Sequence, residues 1–336
     1  MSLKQLADHL GLSPATVSVV INRAAVADTI SQHTKELILS AARKFNYRPN
    51  FFARSLRTQR SLTVGVMVPE VSEGYATAVL SGIEDHLLQE GYFYFVASHR
   101  HREDLIDEYP KLFLDRAVDA IIAVDTPWHH RLRVPVVTVS GHNEAPGVVN
   151  VVLDHEIAAS MALKHLAGLG HRDIAFIKGK AFSSDTEVRW NAIVKATADL
   201  GIRISPKLTA QLEGDEASPR LGYEVTSALL KSRERFSAIF AFNDISAIGA
   251  IRAIREAALH VPEDISVVGF DDIESAAYQN PSLTTVRQPL RKMGTIAAET
   301  VLRRIRTPAT HAKVKHITVE PELIVRETTR AHRDGE

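Results

Sequence analysis

The stretch GLSPATVSVVINR, residues 11–23, sets small and apolar side chains where the partner-binding face of a short helix would be expected to carry long polar ones. Such residues make contacts; they do not break bonds. Elsewhere, the side chains able to do chemistry come just after apolar runs. Asn243 and Asp244 follow SAIFAF, Asp271 and Asp272 follow ISVVGF, and Tyr75 comes after LTVGVMV. Asp and Asn in such places can hold sugar hydroxyls, and Tyr can stack on a ring-shaped ligand. Taken singly, each equally suits a helix cap or a surface ion pair. No bond-making constellation accompanies them: the sequence holds no G-x-S-x-G elbow, no G-x-x-x-x-G-K-[ST] phosphate loop and no H-E-x-x-H pair. His129–His130 and SHRHRED (98–104) offer imidazoles, but adjacent histidines point different ways on any regular element. Neither a metal site nor a cofactor is expected, and an enzyme is disfavoured.

The elements that must position these groups are legible as alternating patterns. From about residue 61, the short apolar runs LTVGVMV (62–68), YFYFVAS (92–98), VDAIIAV, PVVTVS, DIAFIK, SAIFAF and ISVVGF read as strands. Between them, Ile83 and Leu87, with Leu88 beside them, stand four apart and Ile248, Ile251 and Ile254 three apart, as amphipathic helices require. Continuous apolar strands alternating with helices predict parallel sheets covered on both faces, an α/β architecture. Roughly 270 residues exceed one ordinary doubly wound domain, so two similar lobes are expected.

Ahead of this body, Leu3, Leu6, Ala7 and Leu10 form an apolar stripe, Gly11 suits a left-handed helix end, and Leu12 can plug the corner. Ser13 is a natural N-cap and Pro14 fits the first helical position, with Val17, Val20 and Ile21 facing the first helix. The pattern is that of a helix-turn-helix whose second helix would lie in a DNA major groove, though an ordinary helical hairpin shares it. A third helix is expected through TKELILSAARKFNY, with Leu37, Ile38, Ala41 and Phe45 on its buried side. Charge sharpens the choice. Residues 1–60 carry nine Lys or Arg against three Asp or Glu, leaving 31 against 37 of the chain's 40 and 40 for the remainder. A basic module that meets a polyanion and an acidic body that does not is the reading.

The absence of cysteine excludes disulfides and thiolate metal sites and favours a reducing compartment. MSLKQLADHL lacks the apolar core of a signal peptide, and no apolar run approaches the roughly 20 residues of a membrane span. A cytoplasmic chain with no membrane partner is expected.

With its third helix and the segment YRPNFFARSLRTQRS, the N-terminal region resembles the lactose-repressor/galactose-repressor (LacI/GalR) family of bacterial transcriptional regulators. The residues that carry the resemblance are LKQLADHLGLSPATVSVVIN, ILSAARKFNYRPNFFARSLR, SLTVGVMVP, FNDISAIGAIRA and VPEDISVVGFDDIESAAYQNPSLTTVRQP, spread over nearly the full length. The resemblance implies an all-α helix-turn-helix headpiece (1–48), a hinge helix and linker (49–60), a two-lobed, periplasmic-binding-protein-like α/β domain for effector binding and dimerisation (61–330), and a tail (331–336). It implies a homodimeric repressor that binds a near-palindromic double-stranded DNA operator, with its affinity set by a small-molecule effector, a carbohydrate by preference. A periplasmic-type solute-binding protein and a sugar-active enzyme are the disfavoured alternatives. No leucine heptads follow PELIVRETT, which favours a dimer over a tetramer.

Carried over residue by residue, Pro14, Ala15 and Val19 match base-reading positions, while Ser13, Thr16, Ser18 and Asn22 match positions that hold phosphates or cap the helix. Val19 departs from the long polar residue common in the family, so this face is expected to meet thymine methyls, with DNA shape supplying the rest. In the hinge, Asn50 matches a capping position, Leu56 matches the leucine that wedges into the minor groove, and Arg54 and Arg57 are placed for phosphates. In the body, the resemblance raises Arg189, Asn243 and Asp271 to effector-binding residues, Tyr75 joins them by its place after the first strand, and Ser140 stands where many relatives carry an acid.

Overall fold

A computed structural model describes residues 1–22, 25–47, 60–71, 74–142, 145–214, 218–232, 234–307 and 315–332. The chain divides into two units, Met1–Ser61 and Leu62–Glu336.

In the first unit, helix α1 (Leu3–Leu10) starts at a capping box. Ser2 Oγ accepts from the Gln5 amide at 3.2 Å, and Gln5 Oε1 accepts from the Ser2 amide at 2.7 Å. Gly11 ends the helix at φ 63°, and the Leu12 amide turns back to the Ala7 carbonyl at 3.0 Å. Helix α2 (Pro14–Ile21) follows at once, with Ser13 Oγ accepting from the Thr16 amide at 3.1 Å. Helix α3 (Gln32–Lys44) is capped the same way by Ser31. Leu6, Ala7, Val17, Val20, Ile38 and Ala41 form the core of this three-helix unit. Leu37, expected inside, is 44% exposed. The buried stripe is Ile38, Ala41 and Ala42 with Phe45 beyond the helix end, and a residue one step from Ile38 is turned about 100° away from it. The hinge positions Asn50, Arg54, Leu56 and Arg57 lie outside the described residues.

The second unit holds two six-stranded sheets. The first lobe contains β1 (Thr63–Val68), β2 (Phe93–Ser98), β3 (Ala120–Val124), β4 (Val136–Val139), β5 (Val148–Leu153) and β11 (His316–Val319), all parallel, in the order β11-β5-β4-β3-β1-β2. The second contains β6 (Ile174–Lys178), β7 (Thr209–Gln211), β8 (Ala238–Phe240), β9 (Ser266–Asp271), β10 (Thr284–Arg287) and β12 (Glu322–Ile324), in the order β12-β10-β9-β8-β6-β7, with β12 antiparallel. Every residue of β1, β3 and β4 is buried, which is why their sequences are continuously apolar. Strand β2 differs from the expectation of cover on both faces. It is the edge of its sheet, and Phe93 and Val96 are 59% and 40% exposed.

Helices α4 (Tyr75–Gln89), α5 (Glu103–Asp115) and α11 (Leu290–Arg306) belong to the first lobe, and α6 (His155–Gly168), α7 (Ser184–Asp199), α8 (Pro219–Lys231), α9 (Asp244–Glu256) and α10 (Glu274–Ala277) to the second. The chain therefore crosses between lobes after β5, after β10 and after β11. Each lobe closes one helix pair through facing glycines. A Cβ on Gly82 of α4 would collide with the Arg291 carbonyl, and one on Gly294 of α11 with that of Val79. In the second lobe a Cβ on Gly222 of α8 would collide with the Ser246 carbonyl, and one on Gly249 of α9 with that of Pro219. The helices touch backbone to backbone, and no side-chain rotation can relieve a methyl group there.

Gly249→Ala is expected to destabilise the body by about 1–3 kcal/mol or more, because α8 and α9 must move apart. Gly168→Ala, at the end of α6 with nothing within 4 Å of the added carbon, serves as the control and should be neutral or stabilising by a few tenths of a kcal/mol. Calorimetric melting of the two variants side by side checks this, and equal melting temperatures would rule out the tight crossing.

Candidate functional site

Parallel strands end together, so the residues after them share one rim of each sheet. Asp125 follows β3, Ser140 follows β4 and Asp271 closes β9, with φ of 40°, 55° and 110°. L side chains reach this region at a cost, and strain of this kind is kept where the surroundings hold it. Tyr75 opens α4, Asn243 precedes α9, and Asp185 and Arg189 stand in the first turns of α7. A cavity of about 120 Å³ lies between the lobes, with Tyr75, Asp125, Asp185, Arg189, Asn243 and Asp271 in its wall. The structure thus brings Tyr75, Arg189, Asn243 and Asp271 together at one cavity, although 196 positions separate the first from the last in sequence (75 to 271).

Arg189 is 3% exposed, and its two terminal nitrogens are both held while Nε is buried without a hydrogen-bond partner among the described residues. Nη2 donates to Asp185 Oδ2 at 3.0 Å and Nη1 to the Phe242 carbonyl at 2.5 Å. The Phe242 and Phe270 rings lie 4.3 and 3.7 Å from its central carbon, a geometry in which ring quadrupoles attract the cation. Burial opposes ionisation of Asp185, but His155, the hydrogen bond from His142 Nε2 at 2.6 Å and the Arg189 charge outweigh it, holding the carboxyl well below the usual range.

The other two carboxyls go the opposite way. Burial pushes Asp125 up to about 7, reinforced by the Asp185 charge and only partly offset by hydrogen bonds from the Ser184 amide and hydroxyl. Burial likewise pushes Asp271 up to about 7, against the pull of Arg189 and of Gln288 Nε2, which donates to Asp271 Oδ1 at 2.6 Å. Tyr75 donates to Ser140 Oγ at 2.7 Å, and burial raises its phenol well above the ordinary value. Several contacts tie the lobes across the cavity: the Ser184 amide and hydroxyl donate to Asp125 Oδ1 at 3.2 and 2.7 Å, the same hydroxyl reaches the Ser140 carbonyl, and His142 meets Asp185. One buried cation, Arg189, with Lys180 half-buried in the same wall, faces the buried Asp185 and Asp271 and the half-buried Asp125, so hydroxyl donors from a ligand have acceptors waiting.

Asn243 spends its Oδ1 on capping α9, accepting from the Ser246 amide at 3.0 Å, so the amide nitrogen is the half outside that cap. Asp125, Asp185 and Gln288 were not foreseen. The signal for Asp125 was present, since it follows AIIAV as Asp271 follows SVVGF, and Asp185 lies four residues before Arg189 on the same helix. Nothing local marks Gln288.

On the headpiece, Ser13, Pro14 and Ala15 are exposed, while Thr16, Val19 and Asn22 are half-buried. Ser13 and Thr16 share a hydroxyl hydrogen bond of 2.8 Å as well as the cap. Ser18, expected to hold a phosphate or cap the helix, is 8% exposed, and Asn22 Nδ2 donates to its hydroxyl at 3.2 Å and its carbonyl at 2.8 Å. Helical geometry places Ser18 beside the buried Val17, so it and Asn22 serve each other and close the end of α2.

Comparison with known proteins agrees with both halves of this picture. Residues 2–50 match the description "Bacterial regulatory proteins, lacI family", and residues 163–329 match "Periplasmic binding protein-like domain". The chain is 30% identical over 334 residues to the HTH-type transcriptional repressor PurR of Aliivibrio fischeri, covering 97% of each, and 28% identical to that of Pasteurella multocida, covering 98% of this chain and 99% of the relative. Among solved structures, it resembles the Lac repressor dimer bound to operator and the anti-inducer ONPF at TM-score 0.83, with 27% identity and coverage of 98% and 99%. A complex of the transcriptional regulator CelR with cellobiose aligns at TM-score 0.71 with 26% identity, covering 98% and 99%.

Asp271 has a testable stability signature. Its carboxyl titrates near 7 when folded and near 3.9 when unfolded, so the folded state binds the extra proton between these values. Stability from this group is present at about pH 4, falls as pH rises to about 7 and is flat above. Asp271→Asn keeps an acceptor for Gln288 and removes the buried charge, so its melting temperature should exceed that of the parent by a few degrees or more at pH 8. The gap should close toward pH 4.5. Calorimetry across that range checks it, and a gap independent of pH would contradict the assignment.

Proposed function

The chain belongs to the lacI family of bacterial regulatory proteins, and from that premise we propose that a neutral, polyhydroxylated ring compound enters the interlobe cavity and sets the affinity of the headpiece for a near-palindromic operator. Membership makes it a DNA-binding transcriptional repressor with an allosteric small-molecule site, not an enzyme. The identity of the effector is the part that rests on the cleft. The observation that carries it is the convergence of Asp125, Asp271 and Arg189 on one cavity walled also by Tyr75. Two carboxyls already pushed up by burial would be pushed further by an anionic ligand, whereas hydroxyl groups donate to them without adding charge. A relative solved with cellobiose supports a carbohydrate. The cavity's size favours a single ring over a longer chain.

The repressor reads DNA as a homodimer in this proposal. An edge strand that leaves Phe93, Phe95 and Val96 exposed suits a second copy of the chain better than water. Pro14, Ala15 and Val19 present an apolar face to thymine methyls, Ser13 and Thr16 set register at phosphates, Asn22 and Ser18 close the end of the helix, and Asn50, Arg54, Leu56 and Arg57 form the hinge contacts. The place of action is the bacterial cytoplasm, on nucleoid DNA. Among the described residues, no helix is long and apolar enough to cross a membrane.

A thermal-shift panel of neutral sugars, sugar phosphates, sugar acids and purine bases identifies the ligand class, since a ligand at 100 times its Kd adds about 2.7 kcal/mol. Arg189→Gln should lose that shift and the ligand response while retaining operator binding within several-fold. Stabilisation by anionic compounds alone, or an undiminished response in the variant, would overturn the assignment.

Leu56→Ala tests the hinge separately. Unstacking a base step costs a few kcal/mol that apolar contact must offset. The variant should therefore bind operator fragments, selected from genomic DNA, at least tenfold more weakly, with little change on random DNA and a smaller bend. Equal losses on both DNAs, with the bend intact, would reduce the hinge to a linker.

A further inference from the structure

Three side chains from separate parts of the body meet beside the cavity. His142 lies in the segment after β4, His155 is the first residue of α6, and Asp185 is in the first turn of α7. Their ligand atoms lie within 4.8 Å of one another. Both imidazoles turn Nε2 to the same carboxylate oxygen, Asp185 Oδ1, at 2.6 Å for His142 and 3.4 Å for His155. His155 is 4% exposed, and among the described residues Nδ1 has no hydrogen-bond partner and Nε2 has only that long contact to Asp185. A buried imidazole left so costs stability without return. We propose that His142, His155 and Asp185 form a binding site for a divalent transition-metal ion, which clamps the first lobe to the second.

The donor set fits. Two imidazoles and a carboxylate, with no thiolate available anywhere in the chain, suit Zn²⁺, Co²⁺ or Ni²⁺ rather than Ca²⁺ or Mg²⁺. Zinc takes nitrogen and carboxylate oxygen at about 2.0–2.2 Å in tetrahedral array, which sets neighbouring donors about 3.3–3.5 Å apart. His155 Nε2 and Asp185 Oδ1 already stand at 3.4 Å, and the His142 contact must open from 2.6 Å by about 0.7 Å. Arg189, bonded to the other oxygen of Asp185, opposes a second cation, and the partial charge that Asp125 and Asp271 keep at neutral pH offsets it only in part. Three protein donors leave a fourth position for water or for a ligand oxygen. The ion thus joins groups from both lobes and the first crossover.

The test uses the full-length protein, treated with EDTA, dialysed and then titrated with Co²⁺ and Zn²⁺ without any effector, so its outcome is independent of the proposed ligand. One ion per chain should bind at micromolar Kd or tighter, with the visible absorption of four-coordinate Co²⁺ and a raised melting temperature. His142→Ala, at a half-buried position, and His155→Gln, which keeps most of the buried volume, should each weaken binding at least tenfold while circular dichroism stays unchanged. The double variant His129→Ala/His130→Ala removes the exposed cluster that these residues form with Asp107 and should leave binding intact. Absence of saturable binding below about 100 μM, or binding lost in that double variant but kept in His142→Ala, would overturn the proposal.

Discussion

A single buried guanidinium organises the cleft. Arg189 is held between two phenylalanine rings, paired with Asp185 and bonded to a backbone carbonyl. Removing such a charge from water is expensive, and the cost is tolerable only because each of these contacts is present together. The remaining geometry follows from that need. Phe270 must end β9 next to Asp271, Phe242 must precede the cap of α9, and Asp185 must stand one turn before Arg189 on α7. The carboxyls left without a cation of their own, Asp125 and Asp271, take the penalty as a weakened acidity, which keeps them ready to accept or share hydrogen on neutral ligand groups.

What could be read from sequence was whatever depends on neighbours along the chain. Gly11, Ser13 and Pro14 mark the headpiece turn because a left-handed residue, a cap and a fixed φ are local demands. SAIFAF and ISVVGF mark strands because a strand covered on both faces must be apolar throughout. The resemblance to a known family brought Arg189, Asn243 and Asp271 forward, its place after the first strand did so for Tyr75, and the four do line one cavity. Features that depend on what lies across the fold were not legible. YFYFVAS reads like the other strands, yet its place at the edge of the sheet is a property of topology. Whether Ser18 faces outward or closes the helix end depends on burial and on Asn22, which sequence does not show. His142, His155 and Asp185 follow no ligand-spacing pattern, since the crossover after β5 and the entry to α7 bring them together.

The two lobes repeat one solution. In each, a helix pair approaches until backbone meets backbone, and glycine is present on both helices where they touch. Contact this close leaves little freedom for the helices to slide, so each lobe behaves as a rigid block. Relative motion must then be absorbed by the short segments that cross between lobes, near Asp154, Gln288 and Glu320. Gln288 is bonded directly to Asp271, so one of those crossings reports on the state of the cleft.

The strand ends carry a further consequence, for the history of this binding site. Asp125, Ser140 and Asp271 all occupy backbone conformations that glycine, asparagine and aspartate enter far more readily than other residues. Branched and aromatic side chains therefore meet a backbone cost at three of the positions nearest the ligand. Substitution is cheaper on α4 and α7, whose helical backbones accept almost any side chain without that cost. The strand ends preserve the acidic floor of the cleft, and the helices supply its adaptable walls.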